Sequence, residues 1–236
     1  MDRLTRKELK SDKFALEVEH IVETVSEHRD VVMRYGAIAL AVVAIALGTY
    51  YYRGHQRDVR EQKLHVALRI QDANIGAPQV PGNESMLSFP TAAAKQAALV
   101  KAFSDLAKND SGTEEGTIAE YYLGTNAADR GESSNAEKYL QNVADSGYAN
   151  YASVAKLALA QIYASHGKLA DAEKLIRSVI DKPTDFVSKD GATIALAELI
   201  APTRPEEARK LLEPLRSSRS AISRAALSAL ANLPQK

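Results

Sequence analysis

An eight-residue phrase that returns every 36 residues is the feature that most constrains the fold of this chain. Its copies occupy residues 136–143, 172–179 and 208–215. Each copy starts with alanine and has apolar residues four and seven positions later, a spacing that places them on one helix face. Because one unit cannot bury such a face alone, the constant interval predicts a stacked array of helical units.

Turn residues divide the array into helix pairs. Gly131, Gly167 and residues 201–205 mark the turns inside three pairs, and residues 134–137, Ser-Asn-Ala-Glu, match a capping box. The predicted helices cover residues 116–129 and 135–145, 151–165 and 169–180, and 189–200 and 206–213.

The end of the array carries its own signals. Pro214 is expected to end the last paired helix early, because proline lacks a backbone donor. A final helix at residues 219–233 is expected to cover the end of the array through Ile222, Leu227 and Leu230.

A run of 18 uncharged residues, 35–52, is the second strong feature. As a helix it is roughly 27 Å long, close to the roughly 30 Å hydrocarbon core of a bilayer. Tyr35 and the tyrosines at 50–52 suit the two interfaces, and Arg34 and Arg53 flank the run. The 34 residues before it and the lack of a small-x-small cleavage site after it favour a retained single-pass anchor over a signal peptide. A buried core helix is the alternative reading.

These features predict an all-α chain without sheet, in four segments. Residues 1–34 form a polar tail with one amphipathic helix, and residues 35–52 form the transmembrane helix. Residues 53–112 form a linker helix, 53–75, followed by a loop and a second helix, 91–108, as a degenerate pair. Residues 113–236 hold the repeats and the capping helix. The apolar stripe of the tail helix consists of Phe14, Val18, Ile21 and Val25.

Composition and motifs exclude several classes of function. Lys plus Arg and Asp plus Glu both total 30, so no net charge attracts nucleic acid. Cysteine is absent, which excludes disulfides and thiolate-bound metals. Glu17 and His20 match one half of a di-iron motif, but a second copy is missing, so a solvated histidine is favoured. Phosphate-loop, zinc and nucleophile-elbow spacings are absent, and the sequence predicts no enzyme, no metal and no cofactor.

A basic residue also recurs with the period of 36, at Lys138, Lys174 and Lys210. We interpret it as a solvated helix face paired with neighbouring Glu137 and Glu173, in preference to a ligand-binding stripe.

The helix pairs resemble tetratricopeptide repeats. In that family a small residue on helix A, a glycine turn and a small residue on helix B let the two helices pack closely. The period here is 36 where the family has 34, and the third pair lacks both glycines. The residues at the small positions are Gly124, Ala136, Ala160, Ala172 and Ala208.

The family register implies a partner groove on helix A of the first two clear pairs. An apolar groove suits a hydrophobic or helical partner segment, and it equally suits the chain's own helix at residues 53–75. The Lys and Asn residues that clamp a C-terminal carboxylate in some members are missing. The groove candidates are Ile118, Tyr121, Thr125, Val154, Leu157 and Gln161.

The layout as a whole resembles the ancillary subunit family of the SecYEG translocon. Residues 50–56, Tyr-Tyr-Tyr-Arg-Gly-His-Gln, match the aromatic-Arg-His-Gln exit of that family. The resemblance implies a bacterial inner-membrane protein with periplasmic repeats, acting as an accessory factor of secretion or of envelope protein biogenesis. Its implied partners are proteins, either translocon subunits or periplasmic chaperones.

Orientation and assembly stay open at this point. Near the apolar run, Arg29 and Arg34 precede it and five basic residues follow it, which by the positive-inside rule favours a cytoplasmic C-terminal domain. Long domains cross membranes despite their charge, so the periplasmic orientation of the family is preferred. The alternative function is a structural, self-assembling envelope protein without a translocon role, and homo-oligomerisation is compatible with either.

Overall fold

The computed structural model describes residues 29–76, 87–217 and 220–234, which confirm the all-α prediction. The predicted tail helix and the Glu17–His20 pair lie outside the described residues. The chain divides into two compact units between Asp58 and Val59.

The apolar run belongs to one long helix, α1, which spans Arg29–Gln71. Within it, Met33–Gln71 is long and apolar enough to cross a membrane, and none of its most apolar stretch is buried. The reading of this run as a buried core helix is therefore wrong. The helix ends at Gln71, four residues before the predicted end, and Lys95 Nζ donates a 2.6 Å hydrogen bond to the carbonyl oxygen of Ala73 just beyond it.

A minimal strand pair follows α1 and corrects the expectation of a chain without sheet. Strand β1, Asn74–Ile75, pairs in parallel with β2, Ser88–Phe89. The amides of Asn74 and Gly76 donate to the carbonyl oxygens of Leu87 and Phe89 at 3.0 and 2.9 Å. These bonds give partners to backbone groups that α1 no longer satisfies once it has ended.

Eight further α-helices follow within the described residues, and consecutive helices pack on one another. Pro214 lies in a short 3₁₀ turn, Glu213–Ser217, directly after α8, as its missing donor predicts. The helices are α2 (Ala92–Asn109), α3 (Glu114–Asp129), α4 (Ser133–Ala144), α5 (Ala149–Ser165), α6 (Leu169–Asp181), α7 (Lys189–Ile200), α8 (Pro205–Leu212) and, after the 3₁₀ turn, α9 (Ser220–Ala231).

Hydroxyl side chains cap three of these helices at their N-termini. Thr91, Thr113 and Ser188 accept hydrogen bonds from Ala94, Gly116 and Gly191 at 3.1, 3.2 and 3.1 Å. Each bond satisfies one of the amides that the first turn of a helix leaves without a partner.

The capping box predicted at residues 134–137 is wrong. Helix α4 begins at Ser133, and the residue before it, Glu132, makes no side-chain cap. Its carboxylate instead binds Arg130 and Asn135, which lower the pKa of Glu132 to about 2. The pair with Arg130 therefore takes the acceptor that a cap would need.

The turns inside the first two helix pairs contain a glycine and the third does not, and their backbone geometry differs accordingly. Gly131 and Gly167 adopt φ of +75° and +74°, and the residues after them, Glu132 and Lys168, donate back to carbonyls five residues earlier. This is the Schellman arrangement, which needs a left-handed residue. Thr203 stands in the third turn, where Arg204 donates to Ile200 over a shorter loop, and no described non-glycine residue has a positive φ.

The buried residues form three clusters that follow one another along the chain. The first joins α1, α2 and α3 around Ala67, Leu99, Phe103 and Leu106. The second joins α3, α4 and α5 around Leu140 and Leu159. The third runs from Ala160 of α5 to Leu233.

The capping helix covers the third cluster with a partly different set of residues from the predicted one. Ala226, Ala229 and Leu233 are buried there, whereas Leu227 is 47% exposed. Ile222 and Leu230 pack against the cluster from its edge.

Candidate functional site

A continuous row of aromatic side chains crosses the array of helix pairs and is the most distinctive surface feature of the described residues. We call it the aromatic row. Its ring centroids lie 5.0 to 5.7 Å apart, each ring touching the next. In spatial order it consists of Phe103 of α2, Tyr122 and Tyr121 of α3, Tyr151 of α5, and Phe186 in the segment before α7.

The row begins in the core and ends in solvent. Phe103 is fully buried and stacks on Tyr122 with ring planes 7° apart. Tyr121 and Tyr151 are half-buried, and Phe186 is 54% exposed. The three contacts beyond the first stack are edge-to-face, at 65° to 76°, which is a favoured geometry for aromatic pairs.

A hydrogen-bonded turn holds Phe186 against Tyr151. The Thr184 amide donates to the Val187 carbonyl at 2.9 Å, and the Val187 amide donates to the Thr184 hydroxyl at 3.2 Å. That hydroxyl also lies 2.7 Å from the buried hydroxyl of Ser153, two residues after Tyr151 on α5. The turn therefore fixes the exposed end of the row to the helix that carries its centre.

The tyrosine hydroxyls of the row are available for new hydrogen bonds. None of those on Tyr121, Tyr122 and Tyr151 bonds to another residue in the described part of the chain, and no buried side-chain polar atom there lacks a partner. These hydroxyls therefore reach solvent. Burial raises the pKa of Tyr121 and of Tyr151, and the Glu114 carboxylate also contributes to the rise at Tyr151. Both phenols therefore stay protonated donors at neutral pH.

The structure separates the six predicted groove residues. Tyr121 joins the aromatic row, Ile118 is buried, and the Thr125 hydroxyl donates to the carbonyl oxygen of Tyr122 at 3.2 Å. Val154 and Leu157 are half-buried against the third cluster, and Gln161 is exposed. A partner-binding role for these six residues stays a prediction.

Most of the aromatic row was missed by sequence reasoning. The chain has only 10 tyrosines and 4 phenylalanines, so the adjacent pair Tyr121–Tyr122 was a usable signal. Phe186 gave none, since it lies outside the helical periodicity that identified the other candidates.

The chain's own linker helix packs at the buried end of the aromatic row. In the described residues, Leu64, Ala67 and Leu68 of α1 pack in the first cluster, which also holds Leu99 and Leu106 of α2. Phe103, the buried end of the row, belongs to that cluster and Tyr122 packs against it, whereas Tyr121, Tyr151 and Phe186 do neither.

Comparison with known families decides the class of this repeat. The family described as tetratricopeptide repeat-like domain matches residues 32–182, more than half of the chain. The chain belongs to this family. No curated protein and no solved structure matches the chain.

The small positions of the tetratricopeptide-like pairs lie where the helices are tightly packed. Gly124 and the four alanines predicted with it are all buried. A Cβ atom added at Gly124 of α3 would lie 2.8 Å from Cγ of Leu140 on α4, closer than side chains approach. Helices α3 and α4 therefore approach each other more closely there than an alanine would allow.

The repeated lysines of the tetratricopeptide-like unit are exposed, but their predicted partners are wrong. Lys138, Lys174 and Lys210 all face solvent. Glu137 pairs instead with Lys168 at 3.8 Å, and Glu173 pairs with Arg177 and Arg204. Each glutamate therefore faces the turn of the following repeat in preference to its own neighbour in sequence.

Residues 33–76, 87–217 and 221–234 contain no cluster of side chains that could bind a metal ion. No three His, Asp or Glu residues there are close enough together to hold an ion. His166 is exposed at the end of α5, where its amide donates to Ile162. Tetratricopeptide-like domains are generally interaction modules without catalytic activity.

Proposed function

We propose that this protein is a membrane-anchored scaffold that binds other proteins through its tetratricopeptide-like repeats, as an accessory factor of protein secretion or envelope protein biogenesis. The observation that carries the proposal is the exposure of the apolar run in α1, where Leu40 and Ile45 are 73% and 67% exposed. Such a surface requires hydrocarbon around it. Family membership and the aromatic row support the binding role.

The proposed location is a bacterial inner membrane, with the repeats on the periplasmic side. Tyr35 and the tyrosines at 50–52 then lie at the two interfaces. The proposed partners are translocon subunits or periplasmic chaperones, in line with the resemblance of residues 50–56 to the exit of the translocon ancillary subunits.

Topology mapping tests the location. A periplasm-active reporter and a cytoplasm-active reporter are each fused after Lys236 and compared in one host. Activity of the periplasmic reporter alone supports the proposal. Activity of the cytoplasmic reporter alone rejects the periplasmic scaffold, because the proposed partners would then lie across the membrane.

Partner binding is tested with the full chain in its membrane. A photocrosslinking amino acid at Phe186, which is exposed, should capture a translocon subunit or a periplasmic chaperone. The matched control places the same amino acid at Leu169, which is 40% exposed on α6. Equal capture from both positions, or capture from neither, contradicts binding at the aromatic row.

A self-assembling envelope protein is the second candidate. A cleft between α1 and α2, lined by Val59, Val66, Ala102 and Leu106, favours it, because Val66 is 56% exposed there. Light scattering of the full chain in detergent distinguishes the two candidates. A single protomer per micelle at all concentrations counts against self-assembly, and concentration-dependent oligomers that Val66→Ser disrupts count for it.

A further inference from the structure

We infer that the aromatic row binds a proline-rich segment of a partner protein in the polyproline II conformation. This inference rests on the proposed scaffold function and names the chemistry of its ligand. The residues that would contact the segment are Tyr121, Tyr151 and Phe186, with Tyr122 at the inner end.

The spacing of the rings fits a polyproline II segment. Tyr121 and Tyr151 are 5.7 Å apart, and Tyr151 and Phe186 are 5.3 Å apart, centroid to centroid. A polyproline II helix rises about 3.1 Å per residue, so two residues advance it by about 6 Å. Because this helix has three residues per turn, two of its three edges can face the row, and prolines two residues apart on these edges can meet adjacent aromatic rings.

The rings of the row are tilted against one another. Successive ring planes of Tyr121, Tyr151 and Phe186 are turned by 65° and 76°, so the surface steps from edge to face along the row. Aromatic-lined surfaces of this kind are a known mode of polyproline II recognition, which gains from the preformed ligand conformation.

The phenol hydroxyls supply the donors that this ligand requires. A polyproline II segment has no internal hydrogen bonds, so its carbonyl oxygens need outside partners. The hydroxyls of Tyr121 and Tyr151 have no partner within the described residues and stay protonated. Ring faces and donors thus occur on the same side chains, which matches the alternation of proline rings and carbonyls.

Other ligand classes fit the row less well. An α-helix satisfies its own carbonyls and would leave the phenol donors unused. An added β-strand needs a free backbone edge, and the described strands are two residues long and lie outside the row. The row itself is uncharged, and the carboxylate that acts on Tyr151 belongs to Glu114, so acidic segments are disfavoured at that end.

Fluorescence anisotropy of labelled peptides tests the inference with the full chain in detergent micelles. The probe is a nonaproline peptide, compared with a Gly-Ser peptide of equal length and an Ala-rich helical peptide. We expect the proline peptide to bind at least tenfold more tightly than either. Phe186→Ala should weaken it about tenfold, whereas Leu169→Ala, which removes another exposed apolar side chain, should leave it unchanged.

A second pair of variants tests the hydroxyls alone. Tyr121→Phe with Tyr151→Phe keeps the rings and should weaken proline-peptide binding about 5-fold per lost hydrogen bond. Tyr163→Phe is the matched control, because its hydroxyl lies near Gln141, outside the row. Thermal melts of each variant establish that the fold is retained.

The outcomes separate this inference from the scaffold proposal. Equal affinity for the proline and Gly-Ser peptides, tighter binding of the helical peptide, or no effect of Phe186→Ala overturns the proline-rich ligand. If crosslinking at Phe186 still captures a partner in those cases, the scaffold proposal stands without it. If the proline peptide shows no preference and crosslinking at Phe186 captures no partner, the row is rejected as a binding surface altogether.

Discussion

Glu173 of α6 and Arg204, the residue before α8, form an ion pair that joins two successive helix pairs. The same relationship recurs 36 residues earlier, where Lys168 Nζ lies 3.8 Å from Glu137 Oε1. Arg177 and Glu207 extend the later pair into a group of four charges. The period of the sequence is thus also the period of the contacts between repeats.

Removing the charge of Glu173 should destabilise the repeat unit at neutral pH. Glu173→Gln weakens the pairs with Arg204 and Arg177, and because these pairs are partly exposed the expected loss is about 1 kcal/mol. For a unit of this size that lowers the melting temperature by about 2–4 °C. Circular dichroism melts at pH 7 measure the difference. Lys174→Gln, which changes an exposed neighbour, is the control and should melt like the wild type.

The same substitution predicts a pH dependence. The guanidinium groups of Arg204 and Arg177 lower the pKa of Glu173 below its usual 4.5 in the folded state. A depressed folded-state pKa contributes stability above the unfolded value and loses it as pH falls through the folded value. The gap in melting temperature between wild type and Glu173→Gln should therefore close below pH 4.5. A gap that is equally large at pH 7 and pH 3 contradicts the ion-pair origin.

Adding one methyl group at Gly124 should destabilise the close contact between α3 and α4. The new Cβ would lie 2.8 Å from Leu140 Cγ, so Gly124→Ala should cost about 1–3 kcal/mol by overpacking, although alanine alone favours a helix by about 1 kcal/mol. Gly54→Ala is the control, because nothing lies within 4 Å of its added Cβ in α1. Urea unfolding measures both. A Gly124→Ala variant as stable as the wild type would show that Leu140 can move away.

The first position of the repeated phrase should resist enlargement. Ala172 is fully buried and Lys174 is exposed on the same helix. Ala172→Leu should cost about 1–3 kcal/mol, while Lys174→Leu should change stability by less than about 0.5 kcal/mol. Thermal melts of the two variants side by side decide the point. Equal melting temperatures contradict this assignment of helix faces.

Loss of the Thr184 hydroxyl should release the exposed end of the aromatic row. Thr184→Val removes the acceptor of the Val187 amide and the contact with Ser153, with an expected cost of about 1–3 kcal/mol. Thr193→Val is the control, since its exposed hydroxyl bonds only within α7, to Lys189. Thermal melts and nonaproline binding are both measured. Destabilisation with unchanged peptide affinity would show that the turn does not position Phe186.

Helical content and turn positions were readable from the sequence because they depend on local spacing. Lys189–Ile200 matches the predicted helix, and Leu169 begins α6 as predicted. Gly131 and Gly167 have the left-handed backbone that their turns demand. The start of α4, which was predicted two residues too late, also has a local cause, since Arg130 binds the carboxylate of Glu132 two residues away.

Only the tertiary structure decided which residues far apart in the chain are in contact. Phe186 meets Tyr151 across 35 positions, and Arg204 meets Glu173 across 31. Periodicity identifies which residues share a helix face, but the rotation and separation of packed helices select which faces meet. The sequence alone therefore determined a repeated helical architecture and an apolar run long enough to cross a membrane. Packing decided that aromatic side chains from three helices and one turn form a single surface.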